Sequence, residues 1–462
     1  TKPIRWQWER SAQRAVRLVG VSGSVRGDAH HPRRASLRGH GYFMRLGPGI
    51  VTGAADDDPS GIGTYSQVGA AQGLSLLWMA PFLLPLAVGV QEATARLGLV
   101  TGKGLGTLIR ERFSRPVLVV AVVLLAAANT LNIAADLASM GAALHLLAPI
   151  PTVVGVVGFA VVMAAAEVLV PYHRYSRVLR WFALSLVAYV LVLGVVDVPW
   201  GEVMTRTFVP RFDLGSKSLV ALIAVAGTTV SPYLFFWQAS EEVEERGDED
   251  GGHENPGDDN RGDDNRRDDA VDAAHLTAMR VDVWAGMASG VLAMFAIMCT
   301  AAVTLGASGS VDVSSAEQAA QSLEPLAGSF AKVLFALGIL GLGLLAVPVL
   351  AGSTAYAVAE AFDWHEGLSR RLRDAPGFYA VIMASMAIGL SLVSIGVSPI
   401  RALYLSAIFN GLTAPPLIVL VMILARSREV LGPHRSRWPS LLATGTAAVA
   451  MTVFPVAALL RA

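Results

Sequence analysis

GPGIVTGAADDDPSGIGTYSQVGAA, residues 47–71, is an apolar stretch with three consecutive carboxylates in its middle. Its length suits one crossing of a bilayer, whose hydrocarbon core of about 30 Å takes about 20 mostly apolar residues. Neither flank suffices alone: Gly47–Ala54 and Ile62–Ala71 are each too short to span. A carboxylate at mid-bilayer costs about 2.5–3.5 kcal/mol even on insertion scales. Asp56, Asp57 and Asp58, followed by Pro59 and Gly61, therefore read as a break inside a membrane helix. The competing reading is a loop between two interfacial helices, which leaves no first span of adequate length. A spanning helix satisfies its own backbone, so an interruption survives only where bare N–H and C=O groups line a cavity or a binding site.

The remainder of the chain fits a bilayer. Of 462 residues, 53% are hydrophobic and 16% charged, against about 25% charged in a soluble domain. Mean hydropathy is +0.53. Fifteen of the 36 acids fall within 241–272, so long runs elsewhere are nearly free of them. The formal net charge is zero, which gives no global attraction for nucleic acid, and no nucleic-acid partner is expected. The single Cys299 excludes a disulfide framework and a cysteine-based metal site. In its apolar run it reads as a small buried residue. Residues 1–44 form a basic arm without the apolar core of a signal peptide. The arm is expected to be disordered or to lie near anionic lipid heads.

Eleven stretches of spanning length lie near 45–69, 74–97, 116–140, 150–171, 178–197, 217–240, 274–305, 327–361, 376–395, 400–425 and 438–460. Loop lysines and arginines orient them. The arm shares one side with Lys103, Arg110, Arg112 and Arg115, then Arg174, Arg177 and Arg180, then Arg370, Arg371 and Arg373, then Arg426, Arg428, Arg435 and Arg437. On the other side, loops 141–149 and 306–325 carry no Lys or Arg. The exception is 198–217, with Arg206, Arg211 and Lys217. The expectation is a multi-pass protein of the cell membrane with its N-terminus in the cytoplasm and its C-terminus outside. The segment 241–272, with 15 acids against four arginines, is then cytoplasmic. Without apolar periodicity it is expected to be a solvated, disordered loop. A cation-concentrating role is the alternative, since carboxylates bind hard cations.

A second interruption matches the first. The sixth stretch reads VALIAVAGTTVSPYLFFWQAS, with Thr228, Thr229 and Ser231 ahead of Pro232. Proline removes a backbone donor and frees a carbonyl one turn back. An ordinary proline kink explains that feature alone, but its place does not. Stretches one and six open two five-span halves, and paired interruptions of this kind point to an inverted-repeat transporter with its site at the midplane. The expected organisation is a first repeat over 45–197, a second over 217–425 containing the acidic loop, and an eleventh span with the C-terminus over 438–462. Asp58, Asp57, Ser231 and the freed carbonyls offer oxygen alone, the chemistry of a hard-cation site. Ala55 and Thr228, flanking the two breaks, join them as candidate ligands. Asp56, Gly61, Tyr233, Asn410 and Gln238 are candidates for the substrate path.

These motifs resemble the Nramp family of divalent-metal transporters. In that family GPG precedes an Asp-Pro-Gly-Asn break by nine residues, the spacing of Gly49 to Asp58 here. ATARLGLVTGKGL, Ala93 to Leu105, resembles the end of its second span and the next loop. AADLASMGAALHLL, Ala134 to Leu147, resembles its third span, and VAGTTVSPYLFFWQAS, Val225 to Ser240, stands where it has Met-Pro-His. The similarity runs from about Leu46 to Ala425 and includes the eleven spans. It implies a leucine-transporter-like all-α fold with spans 1–5 and 6–10 as inverted repeats, and metal import by alternating access. Asp58 would be the metal-binding aspartate and Asp136 the third-span aspartate of the proton route. The departures are informative. The family's Asn is Gly61 and its Gly is Ser60. Its sixth-span Met is Ser231, the following His is Tyr233, and the third-span Glu is Ser139. Losing a thioether and an amide removes ligands suited to dehydrated Mn2+ or Fe2+. A wide, acidic site without sulfur suits Mg2+, which keeps several waters. The pattern is similar to the Nramp-related magnesium transporter branch, with Mn2+ as second substrate and weak or absent proton coupling. A proton-coupled Mn2+/Fe2+ transporter and an organic-substrate symporter of the same fold are the alternatives.

Other polar residues read more plainly. Gln91 and Glu92 fit a helix-end surface, Glu167 an interface, and Asn129 and Asn132 interhelical hydrogen bonds. Gln238, with Glu241 and Glu242, fits an inner vestibule or a solvated helix end equally well. His145 fits a helix end. An enzyme is not expected: His365-Glu366 lacks the second His of a zinc-protease helix, and no phosphate loop or catalytic triad stands out. Neither a cofactor nor an obligate protein partner is expected. The metal ion is cargo.

Overall fold

The computed structural model describes residues 52–461 except 54, 57, 170–183, 212, 214, 250–270, 272, 308, 310–312, 314, 369–371 and 395. The basic arm 1–44, Asp57, Arg174, Arg177, Arg180 and most of the acidic segment lie outside the described residues. No strand occurs among those described. The principal helices are α1 (Pro59–Gln72), α2 (Met79–Thr101), α3 (Leu105–Arg112), α4 (Arg115–Leu147), α5 (Thr152–Leu169), α6 (Val187–Val192), α7 (Trp200–Phe208), α8 (Ser216–Thr229), α9 (Pro232–Glu249), α10 (Ala273–Ala301), α11 (Ala331–Phe362), α12 (Pro376–Val393), α13 (Pro399–Arg426) and α14 (Trp438–Leu459).

Nine helices among the described residues are long and apolar enough to cross a membrane. They coincide with expected spans 2, 3, 4, 6, 7, 8, 9, 10 and 11. The first and fifth expected spans contain the omitted residues 54, 57 and 178–183. Exposed faces are apolar: α5 turns Val153, Val154, Val157 and Val161 outward, and α14 turns Leu442, Val449 and Val453. In water such faces would be costly; in lipid they are the solvated surface. The chain is thus a polytopic α-helical membrane protein.

The sixth span occupies the centre. Residues Ala221–Thr229 of α8 and Tyr233–Ala239 of α9 are buried. Helix α1 packs on α8, α10 and α13, while α4 lies along α11. Close approach of α8 to α13 requires a glycine: a Cβ at Gly227 would fall 2.1 Å from the Ala407 carbonyl. Small residues at such crossings are the usual currency of membrane packing.

The charge exception in 198–217 has a local explanation. Part of it folds as α7, where Arg206 pairs with Glu202 one turn earlier at 3.1 Å, and Asp213 accepts from Ser218 Oγ at 2.7 Å. Hydrogen bonds from Ser218 and the Gly215 amide hold the Asp213 carboxyl below the usual carboxylate range. Positive charge in this loop is therefore partly neutralised.

On the opposite, arginine-rich face a carboxylate ties three helices together. Glu360, near the end of α11, is 3% exposed. It accepts the Thr107 N–H at the start of α3 at 3.0 Å and the Ser240 hydroxyl of α9 at 3.0 Å. A Cβ at Gly104 would sit 1.8 Å from Glu360 Oε1. Gly104→Ala is expected to push the carboxylate off these donors. The cost is about 1–3 kcal/mol for an unsatisfied buried group, read as a lower melting temperature in detergent. A variant as stable as the parent would remove Glu360 from this role.

Candidate functional site

Both breaks form where the sequence places them, but more narrowly. Thr52, Gly53, Ala55 and Asp56 are helical, and α1 starts at Pro59. Asp58 between them is extended, at φ −64° and ψ 172°. Pro59 does not break the helix; it opens one, at the first position, where a missing N–H costs nothing. Gly61 lies inside the first turn of α1 and its N–H donates to Asp58 Oδ1 at 2.8 Å. The Ser60 hydroxyl donates to the same oxygen at 2.6 Å. Asp58 is thus the N-cap of the half-helix α1, with its charge at the positive end of the helix dipole. In the sixth span α8 ends at Thr229, Val230 leaves helical geometry at φ −121° and ψ 64°, and α9 restarts at Pro232.

The half-helices are stitched across the site. Ser60 Oγ and Thr228 Oγ1 are 3.1 Å apart; since the Ser60 proton goes to Asp58, Thr228 is the donor. Tyr65 Oη and Thr229 Oγ1 are 2.9 Å apart, and Thr229 also lies within hydrogen-bonding reach of the Val225 carbonyl at 2.7 Å and Met294 Sδ at 3.4 Å. The Ser231 hydroxyl turns back to the Gly227 and Thr228 carbonyls, each at 2.9 Å. The Tyr233 hydroxyl donates to the Ala55 carbonyl at 2.8 Å, covering one carbonyl that the break frees. Deeper in, Thr52 Oγ1 donates to Gln238 Oε1 at 2.6 Å, and Gln238 Nε2 donates to Glu242 Oε1 at 2.9 Å.

The structure therefore brings Asp58 (through Ser60), Ala55, Thr228, Tyr233 and Gln238 into one bonded seam between spans one and six, while the Ser231 hydroxyl is turned to carbonyls of its own span. All are buried. Asp136 on α4 lies within electrostatic range of Asp58, and Asp56, Asp58 and Asp136 all act on the Tyr233 hydroxyl. Asn410 on α13 is fully buried, and neither of its amide atoms has a hydrogen-bond partner among the described residues. Leu403 and Ala407, seven and three residues before it on the same helix, press on Gly63 of α1 and Gly227 of α8. Among the described residues no three His, Cys, Asp or Glu side chains converge as a ready-made metal cluster. The donor set is one carboxylate with hydroxyls and carbonyls.

Several expectations change. Glu92 is not at a helix end: α2 continues to Thr101, and Glu92 pairs with Arg96 and with Arg280 of α10. Gln91 is buried, not superficial, and Glu167 is buried near the end of α5. The start of the acidic segment is not a loop, because α9 runs to Glu249 and buries Glu242. Asn129 makes its interhelical bonds, to the Leu350 carbonyl at 3.0 Å and Thr354 Oγ1 at 2.9 Å. Asn132 makes none. His145 does lie in the last turn of α4. Sequence reasoning missed Thr52, Tyr65 and Glu360. A lone acid within a span is itself a signal, and that rule would have found Glu360.

Two interrupted membrane helices bonded to each other at their breaks, with a capped aspartate at the first, fit a leucine-transporter-like membrane protein. The fold is that of the Eremococcus coleocola manganese transporter, crystallised with an aromatic bis-isothiourea substituted compound, at TM-score 0.68 and 17% identity over 90% of this chain and 86% of that one. MhsT in complex with L-phenylalanine is also similar, at TM-score 0.62 and 13% identity over 90% and 98% of the two chains. The chain belongs to the Nramp family, natural resistance-associated macrophage protein-like, whose model matches residues 49–461. Relatives include proteins named divalent metal cation transporter MntH. The one from Verminephrobacter eiseniae is 28% identical over 441 residues, 93% of this chain and 92% of the relative. The one from Deinococcus radiodurans is 28% identical over 405 residues, 84% and 83% of the two chains.

Proposed function

We propose that the chain is a secondary transporter that imports divalent metal cations across the cytoplasmic membrane by alternating access, Mg2+ first and Mn2+ second, with weak or no proton coupling. The observation that carries this reading is Asp58 capping the outer half of span one against the Ser231 break of span six, with Asp56 and Asp136 close by. Asp58 Oδ1 takes the capping bonds, so Oδ2 is the oxygen offered to an ion. Ser231, Thr228 and the Ala55 carbonyl add neutral oxygens, and Asp57, outside the described residues, is a further carboxylate at the same break. Asp56, Gly61, Tyr233, Gln238 and Asn410 line the path. Three nearby carboxylates favour a cation and repel the carboxylate of an organic substrate.

For the ion to leave inward, the inner half of span one must part from α9. The bonds that hold them are Thr52 to Gln238 and Tyr233 to Ala55. The arginine-rich face, taken as cytoplasmic by the loop-charge rule, carries the acidic end of α9, where a released cation meets further carboxylates.

Weak proton coupling is supported by the third span. Ser139 stands three residues after Asp136 and donates to the Asp136 backbone carbonyl at 2.8 Å. It offers no titratable group, so Asp136 alone remains as a proton carrier. A Mn2+-preferring, proton-coupled reading draws on a different observation, the Met294 thioether beside Thr229, and on the names of the relatives. Uptake into proteoliposomes separates the two. Mg2+ is expected to enter with little change of luminal pH, and Mn2+ to compete. Acidification stoichiometric with metal would restore proton coupling through Asp136, and Mn2+ entry without Mg2+ entry or competition would overturn the magnesium reading.

A further inference from the structure

The third span carries a buried amide that no site described above uses. Asn132 is fully buried, and neither its Oδ1 nor its Nδ2 has a hydrogen-bond partner among the described residues. Asp136, one turn further along α4, is likewise fully buried with both carboxylate oxygens unpartnered among them. Residues four apart share one face of a helix. Asn129, three residues before Asn132, lies on that face too and is spent on α11 through Leu350 and Thr354. Asp136 lies within electrostatic range of Asp58 and of the Tyr233 hydroxyl. Asn132 therefore lies between Asn129, whose Nδ2 is anchored on α11, and Asp136 on the side of the cation site.

A buried amide has two donors and an acceptor to satisfy. Leaving them unmet costs about 1–3 kcal/mol per group, and groups of this kind in native interiors are satisfied by ordered water or an ion. Asn129 on the same helix face differs in one respect: its Nδ2 is bonded to α11, while both amide atoms of Asn132 are left over among the described residues. Packing alone would be served better by Leu or Ala, the commonest residues of this helix.

We propose that Asn132 and Asp136 form a water-binding recess beside Asp58 that accepts the bound waters of a partly hydrated cation, making Asn132 a specificity residue for hydrated divalent ions. The inference rests on the magnesium reading above and extends it to a named residue. Asn132 accepts through Oδ1 from water polarised by the cation, and Asp136 accepts from the same hydration shell. An ion that sheds its water readily, such as Mn2+, gains less from the recess than Mg2+, which does not.

The test is titration calorimetry on the purified full chain with Mg2+, Mn2+ and hexaamminecobalt(III), whose ammine shell mimics a hydrated ion and does not exchange. Asn132→Leu is expected to weaken Mg2+ and hexaamminecobalt(III) about tenfold, the equivalent of one hydrogen bond to a charged shell. Mn2+ should stay within about threefold, and Asn132→Ser, which offers a hydroxyl oxygen as acceptor in place of the amide, should restore most of the Mg2+ affinity. Unchanged Mg2+ binding in Asn132→Leu, or an equal fall for Mg2+ and Mn2+ that Ser does not rescue, overturns the proposal. If the wild type binds neither Mg2+ nor hexaamminecobalt(III), the magnesium reading has failed. The recess is then decided by a high-resolution structure: a water bridging Asn132 and Asp136 in the parent and missing in Asn132→Leu supports it, and its absence from the parent overturns it.

Discussion

Asp58→Ala is expected to reduce divalent-cation uptake to background. Two roles end in that one carboxylate. It caps α1 through Gly61 and Ser60, worth about 1 kcal/mol, and it supplies the charge that holds the ion. Truncating one side of a buried charge pair costs about 2–5 kcal/mol, at least a roughly thirtyfold loss of affinity at 1.4 kcal/mol per decade. Asp58→Asn separates the roles, because Asn caps a helix as well as Asp does but carries no charge. The Asn variant is expected to melt within a degree or two of the parent and still to transport nothing, a small stability change against a large functional one. Full activity in Asp58→Asn would show that the cap, not the charge, is what the position supplies.

The second large effect concerns selectivity. The double variant Gly61→Asn, Ser231→Met restores the amide and thioether of the wider family. Thioether sulfur favours softer ions over Mg2+, so the ratio of Mn2+ to Mg2+ uptake should rise by about tenfold or more, one decade per 1.4 kcal/mol. Space limits the change. Ser231 is buried, its hydroxyl lying on the Gly227 and Thr228 carbonyls. A Cβ at Gly61 would meet the Tyr65 ring at 3.2 Å, a contact that a ring edge can yield to. Overpacking is expected to cost about 1–3 kcal/mol of stability. A folded double variant with the parent's ion ratio would show that selectivity does not reside at these two positions.

How far the sequence alone reaches depends on the range of the interaction. Both breaks are legible because Asp58-Pro59-Ser60-Gly61 and Thr229–Pro232 act on their own backbone: a cap, a first-position proline and a freed carbonyl are local events. Spanning helices are legible for the same reason, since lipid leaves the backbone no other partner. What the sequence hides is pairing between remote elements. Thr52 and Gln238 are 186 residues apart, and Thr107 and Glu360 are 253 apart. Nothing in the local pattern of either partner announces the other. Asn129 and Asn132 show the finer limit. They are the same residue on the same helix face, yet only Asn129 lies against α11 at the height of Leu350 and Thr354. Their difference is fixed by how far α4 slides along its neighbour, which one-dimensional spacing does not contain. Gly61 is the converse case: the break motif places it in the interruption, whereas capping by Asp58 draws it into the first turn of α1.

The central claim is that a divalent cation sits at Asp58 between the two broken helices and that Mg2+ competes for the place. A crystal structure with Mn2+, read by anomalous scattering, tests it directly. The expected result is one strong peak beside Asp58 and Ser231 that disappears when excess Mg2+ is added. A peak elsewhere, or one at Asp58 that excess Mg2+ leaves unchanged, would contradict it.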